Sequence, residues 1–235
     1  MKISKQELKN IVFKPPFIKR MLVSLIGCIF MGICVSIFNL VNFGTDPFSA
    51  LNYAISRTTG IGFGTVELTV GLIELLIVIL VAPKDLGFGT LFNMVFIGYI
   101  AQFFDWIIED NIGINSIDNM WVRVGVMLVT VFIFICAVAL YINAGLGTSP
   151  YDALPFIIHE AITRSGKIKI SQKFVRMVFD AFFTIAAFLL GMLAVKMDES
   201  GEAGVITVLT ALFLGPVIEW MAKIMGKVLK FNREN

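Results

Sequence analysis

The sequence predicts an all-α polytopic membrane protein: six transmembrane helices as an inverted 3+3 repeat, with a short helix, re-entrant or interfacial, after the first span of each repeat. Three observations predict it. Hydrophobic residues make up 57% of the chain and the mean hydropathy is +0.87, above what a domain with a polar surface carries. Six apolar runs approach the ~20 residues that cross a ~30 Å hydrocarbon core. The octapeptide GTDPFSAL at residues 44–51 returns as GTSPYDAL at residues 147–154, identical at five positions of eight.

The runs are residues 21–41, 65–81, 88–108, 121–143, 174–195 and 205–225. Six basic residues precede the first, but it is too long and continuous for a signal-peptide core and lacks a small-residue cleavage site, so it reads as a retained span. Residues 1–20 form a basic cytoplasmic segment, 21–110 the first repeat, 121–225 the second, and 226–235 a basic cytoplasmic tail. With the amino terminus inside, 16 of the 19 Lys and Arg residues face the cytoplasm and only Arg57, Arg123 and Lys196 fall outside, a bias that sets orientation in short loops. The net charge of +2 conceals this asymmetry. The partner implied is the bilayer, whose anionic lipids attract the cytoplasmic basic residues, and not nucleic acid.

The two repeats align residue against residue. Arg20 stands opposite Arg123 at an offset of 103, the same offset that separates the octapeptides. After a slip of three residues, Glu74 stands opposite Asp180, and the third spans pair Gly87, Thr90, Asn93 and Gly98 with Gly204, Thr207, Thr210 and Gly215. Glycine, proline and carboxylate punctuation in one order is more specific than shared apolar composition. Because each copy holds an odd number of spans, the second enters the membrane upside down, an arrangement that places a shared site near the midplane.

Each octapeptide reads as a helix start. Thr45 or Asp46, and Thr148 or Ser149, supply N-cap oxygens, while Pro47 and Pro150 suit the first turn. Gly44 and Gly147 let the chain turn just before. Short helices are expected at residues 47–56 and 150–163. As interfacial segments they would turn Leu51, Ala54 and Ile55, or Leu154, Ile157, Ile158 and Ile162, to lipid. As re-entrant segments they would bring positive helix ends to an anion or polar solute, at a depth where irregular backbone survives only beside protein or a cavity.

Glu74 and Asp180 each sit nine residues into their spans, about 14 Å at ~1.5 Å per residue. Ionisable groups at such depth are functional candidates. Arg176, one turn before Asp180, offers a structural ion pair instead; no basic residue accompanies Glu74. The candidate substrate-binding residues are therefore Gly44, Thr45, Asp46, Pro47, Gly147, Thr148, Ser149, Pro150 and Asn93, with Glu74, Asp180 and Arg176 coupling or lining a pore. Asn93 serves equally as an interhelical hydrogen-bonding residue. Cys28, Cys34 and Cys136 lack metal-ligand spacing and read as small residues at helix contacts. His159, the only histidine, is followed by Glu160 and reads as part of a solvated face. Neither HExxH, a P-loop nor a Ser-His pair is present, so no enzyme, metal or cofactor is expected.

The basic amino terminus, the GT(D/S)P-x-x-AL motif after the first span, the third span GTLFNMVFIG, and the GLGTSPYDAL and TALFLGPVIEW of the second copy resemble the YczE/YyaS/YitT family of bacterial integral membrane proteins. The resemblance covers residues 17–225 and lies closest to the YczE branch, because no soluble domain follows the spans. It implies a multi-pass protein of the bacterial plasma membrane, with both termini cytoplasmic on the charge reading above, and assigns no substrate or catalytic residue. Tyr99, where Pro216 stands in the other copy, makes the halves inequivalent. Two functions follow as expectations. One is a small secondary transporter or channel for an unidentified small polar or anionic solute. The other is a non-transporting accessory or regulatory protein that binds another membrane component, or a second copy as a homo-oligomer, through helix faces carrying Gly27, Gly32, Gly71, Gly98 and Gly215.

Overall fold

The computed structural model describes residues 16–83, 86–114, 116–164, 170–195 and 205–229. All regular structure among these residues is helical. In chain order the helices are α1 (Phe17–Val41), α2 (Pro47–Thr59), α3 (Phe63–Val81), α4 (Phe88–Asp105), α5 (Met120–Ala144), α6 (Pro150–Thr163), α7 (Gln172–Val195) and α8 (Val205–Leu229). A π-helical turn, Trp106–Asn111, prolongs α4. Helices α1, α3, α4 with its π-turn, α5 and α7 are long and apolar enough to cross a membrane. The expected sixth run forms the 25-residue α8. The basic segments at residues 1–15 and 230–235, together with Lys84, Lys167, Lys169, Lys196 and Gly204, lie outside the described residues.

The core is the pair α1 and α5, which share the most extensive contact in the protein. Small residues make it possible: a side chain at Gly27 would meet the Ala137 carbonyl oxygen at 2.8 Å. Around this line Cys28, Cys34, Val35, Phe38, Met127 and Tyr141 are buried, and Phe38 meets Phe134 edge-on at 5.6 Å. The pair is clamped at both ends. Arg20, in the first turn of α1, donates from Nη1 to the carbonyl oxygen of Ala144, the last residue of α5, at 3.0 Å. Arg123, in the first turn of α5, donates from Nε and Nη2 to the carbonyl oxygen of Val41, the last residue of α1, at 3.0 and 2.7 Å. The two helices are therefore antiparallel, and each arginine satisfies a carbonyl that its partner helix leaves without an intrahelical donor. Arg20 and Arg123 differ by 103 positions, as do Val41 and Ala144.

The remaining helices pack across this pair in a repeated pattern. Helix α4 lies on α1 and α8 on α5; α2 packs on α7 and α6 on α3. Each short helix thus rests on the second long helix of the other half.

Arg20→Gln and Arg123→Gln should each lower stability by about 1.5–3 kcal/mol, the range for a hydrogen bond to a charged group. Thermal melting of purified protein in detergent checks this, with a similar loss expected from both variants.

Candidate functional site

The site is built by the two octapeptide loops and the helices that start in them. Gly44 and Gly147 both take positive φ, 94° and 108°, so the chain turns identically in the two copies. Asp46 and Ser149 are the N-caps: the Ser49 amide donates to Asp46 Oδ1 at 3.1 Å, and the Asp152 amide to Ser149 Oγ at 3.0 Å. The same two residue types exchange places, Asp then Ser in one copy and Ser then Asp in the other. Pro47 and Pro150 fill the first helical positions. Thr45 is not the cap; its hydroxyl donates to Asp46 Oδ2 at 3.3 Å. Thr148 contributes its carbonyl instead, accepting from Thr90 Oγ1 at 2.8 Å.

Each loop is held by the third long helix of the opposite copy. Thr90 on α4 grips the second loop, and the Gly89 amide donates to the Leu146 carbonyl oxygen at 2.7 Å. Gly87 is required there, because a side chain on it would collide with that same carbonyl. At the other end, Thr210 on α8 donates to the Thr45 carbonyl oxygen at 3.4 Å. Asn93, the counterpart of Thr210, is half-buried one turn beyond Thr90 and makes neither of these bonds.

The first turns of the short helices then meet. The rings of Phe48 and Tyr151, equivalent positions in the two octapeptides, lie 4.9 Å apart, and Phe183 of α7 packs on both. Helix α2 runs to Thr59, three residues past expectation, and buries Ala50, Asn52, Tyr53 and Ala54; Ala54, expected at lipid in the interfacial reading, is fully enclosed.

Around this meeting point lie carboxylates of two kinds. Asp180 is paired: Arg176 Nε donates to both of its oxygens at 3.1 Å and Tyr151 Oη donates at 2.6 Å. Arg176 also reaches Asp152 at 2.7 Å and sits 5.1 Å over the Tyr151 ring. Glu74 has no such partner. It is 5% exposed on α3 with neither oxygen hydrogen-bonded, and it lies close enough to Asp152 for their charges to interact. Glu74 thus faces the protein interior rather than lipid. The loop at Gly44 borders a pit of about 10 Å³ lined by Phe38, Asn39, Asn42, Gly44, Thr45 and Tyr53, room for one water at most.

Glu67 is a site residue that the motif search passes over. It is 3% exposed, its Oε2 is unpaired, and it interacts with Asp46 and with Glu74. Its signal was available: seven residues before Glu74, it occupies the same helix face two turns earlier. Tyr151, Phe48 and Asp152 lay inside the octapeptides, but their roles depend on distant helices: Tyr151 and Asp152 on α7 of their own copy, Phe48 on Tyr151 and Phe183 of the other. Glu219 pairs with Lys223 at 2.9 Å on an exposed surface.

A family described as "Family of unknown function (DUF6198)" matches residues 18–223. The chain belongs to that family. It is also 25% identical, over 177 residues, to the "Uncharacterized membrane protein YczE" of Bacillus subtilis (strain 168), an alignment covering 75% of this chain and 73% of that protein. This agrees with the YczE branch of the resemblance drawn from the motifs. No solved structure matches. This DUF6198 chain is accordingly a multi-pass integral membrane protein of a YczE-like family.

Arg176→Gln and Asp180→Asn should each lower stability by about 1–3 kcal/mol, because each removes the charged partner that a partly enclosed group bonds most directly. The double variant should lose less than the sum, with a coupling of about 0.5–3 kcal/mol. Urea or thermal unfolding in detergent measures the cycle; additive losses would mean that the pair does not act as a unit.

Proposed function

We propose that this protein is a small secondary transporter or channel of the bacterial plasma membrane, built as an inverted 3+3 repeat of six spans with both termini cytoplasmic. Its short helices are re-entrant, and the solute pathway passes where their first turns meet. One observation carries this reading. Val41 and Ala144 lie at opposite ends of the antiparallel α1–α5 pair, about 31 Å apart from the helical rise between Arg20 and Val41. Yet Phe48 and Tyr151, only seven residues further along each chain, are in ring contact. Each loop must therefore dip inward, from opposite sides, before its helix begins and runs back out. Interfacial helices on opposite faces could not bring these rings together.

The two-fold correspondence supports the inverted repeat: arginine clamps, positive-φ glycines and exchanged caps recur at equivalent positions, and each loop is gripped by a threonine of the other copy's third long helix, one turn apart in the alignment. Irregular backbone at membrane depth is stable only when enclosed, and here helices α4 and α8 supply the donors that enclose it. A polar solute would meet helix amino termini, a buried carboxylate face and an aromatic pair that closes the path in this conformation. The accessory reading is favoured by tight helix contacts at Gly27, Gly32 and Gly98, where added side chains would strike neighbouring helices.

The architecture is tested by thiol chemistry in intact membranes. With Cys28, Cys34 and Cys136 replaced by serine, a Phe48→Cys/Tyr151→Cys pair should be joined by a short bifunctional thiol reagent. Absence of the cross-link would place the octapeptides on separate faces. A cysteine at Ser116 should label from outside in intact cells and one at Gly166 should not; the reverse pattern would invert the orientation. For transport, purified protein in liposomes should conduct at least one member of a panel of small polar solutes. A formed cross-link with no flux across the panel would favour the accessory reading.

A further inference from the structure

Helix α3 presents Glu67 and Glu74 on one face, about 10 Å apart along the axis at ~1.5 Å per residue. The charge of Glu67 interacts with that of Asp46, the cap of α2, and the charge of Glu74 with that of Asp152, in the first turn of α6. The face of α3 therefore runs from the start of one short helix to the start of the other. The helix amino termini here are already supplied with the chain's own anions, Asp46 and Asp152, so an anionic solute would meet carboxylates at every approach. This opposes the anion arm of the sequence expectation.

Three oxygens of this pair, Glu67 Oε2 and both of Glu74, are buried without a hydrogen bond. The Tyr141 hydroxyl of α5 is also buried and unpaired, but it interacts with Asp152 and not with either glutamate. Among the charged and titratable groups of the elements packed on α3, Asp46 and Asp152 interact with this strip. Arg176 is committed to Asp152 and Asp180, and Tyr99 of α4 packs beside Gly64 at the start of α3. Buried polar atoms are ordinarily paired, so three unpaired carboxyl oxygens on one face of α3 call for a ligand that supplies positive charge or protons.

Building on the transport reading, we propose that Glu67 and Glu74 form the coupling site of the pathway, binding a small monovalent cation in exchange for protons, so that the transported solute is cationic. In this exchange each arriving cation displaces one carboxyl proton, which leaves by the opposite opening, and the buried charge is unchanged. That balance is what makes two adjacent desolvated carboxyls tolerable in both states.

The test uses the full-length protein in nanodiscs and dicyclohexylcarbodiimide, which adds to carboxylic acids in apolar surroundings. Peptide mass spectrometry should find the adduct on Glu67 or Glu74. Sodium, potassium or methylammonium ions, titrated separately, should slow its formation, by about tenfold at a concentration about ten times the dissociation constant. The cation that protects distinguishes an inorganic ion from an amine. Glu74→Gln should abolish protection at Glu67, and Glu219→Gln should leave the reaction unchanged. If the glutamine variants do not fold, release of protons into a dye-containing buffer on adding the protecting cation to wild-type protein provides the second readout. No adduct on either residue, or an adduct that none of the three cations slows, overturns the proposal. Anion flux in liposomes that survives both Glu67→Gln and Glu74→Gln overturns it while leaving transport standing. Cation protection without any flux upholds the site and removes the transport reading.

Discussion

The reciprocal arginine clamp between α1 and α5 is the constraint on which the rest of the structure depends. A membrane interior offers no water to the last carbonyls of a helix, so a helix that ends there needs a donor from elsewhere in the protein. Arg123 provides it to Val41, and at the other end Arg20 provides it to Ala144. Because each donor sits in the first turn of one helix and each acceptor at the last residue of the other, the clamp also sets the register of the antiparallel pair. With that register the chain leaves α1 and α5 at opposite ends of the pair, and the two octapeptide loops enter the protein from there.

What enters is backbone that would otherwise be exposed at depth, and its hydrogen bonds show how the copies depend on each other. The caps are local, Asp46 and Ser149 serving their own helices. The grips are not: the second loop is held by Thr90 and Gly89 of the first copy, the first loop by Thr210 of the second. Each octapeptide is thus tied to the other copy as well as to its own helix. The positive-φ glycines then carry a double requirement, since Gly147 must turn the chain and also lie against Gly87 closely enough to exclude any side chain on either.

The helical spans, the octapeptide turns and the Arg176–Asp180 pair were legible in the sequence because each is written in local spacing: runs of apolar residues, a proline after a cap, two charges one turn apart. The arginine alignment at an offset of 103 was also visible, but not its purpose, because the acceptor carbonyls belong to the other copy. Glu67 illustrates the remaining limit. Four residues into α3, it resembles a solvated residue near a helix end. It becomes buried because Gly98 on α4 lets that helix approach within contact of its side chain. Likewise α2 outran its expected end because Thr58 and Thr59 return their hydroxyls to the Ala54 and Ile55 carbonyl oxygens, and Gly60 closes the helix in the left-handed conformation.

The two halves end up chemically unlike at the place where their folds agree most. Tyr151 has a hydroxyl that binds Asp180, whereas its counterpart Phe48 has none, and Arg176 has no basic counterpart beside Glu74. One carboxylate is therefore locked by a cation and a phenol, and its equivalent is left without either. In the proposed transporter that difference would give direction: the locked half would hold its geometry whatever occupied the pathway, and the unlocked strip of α3 would be where a change of charge alters the packing. The loss of two-fold chemistry at Phe48 and Glu74 would then concentrate the response to a ligand on one helix.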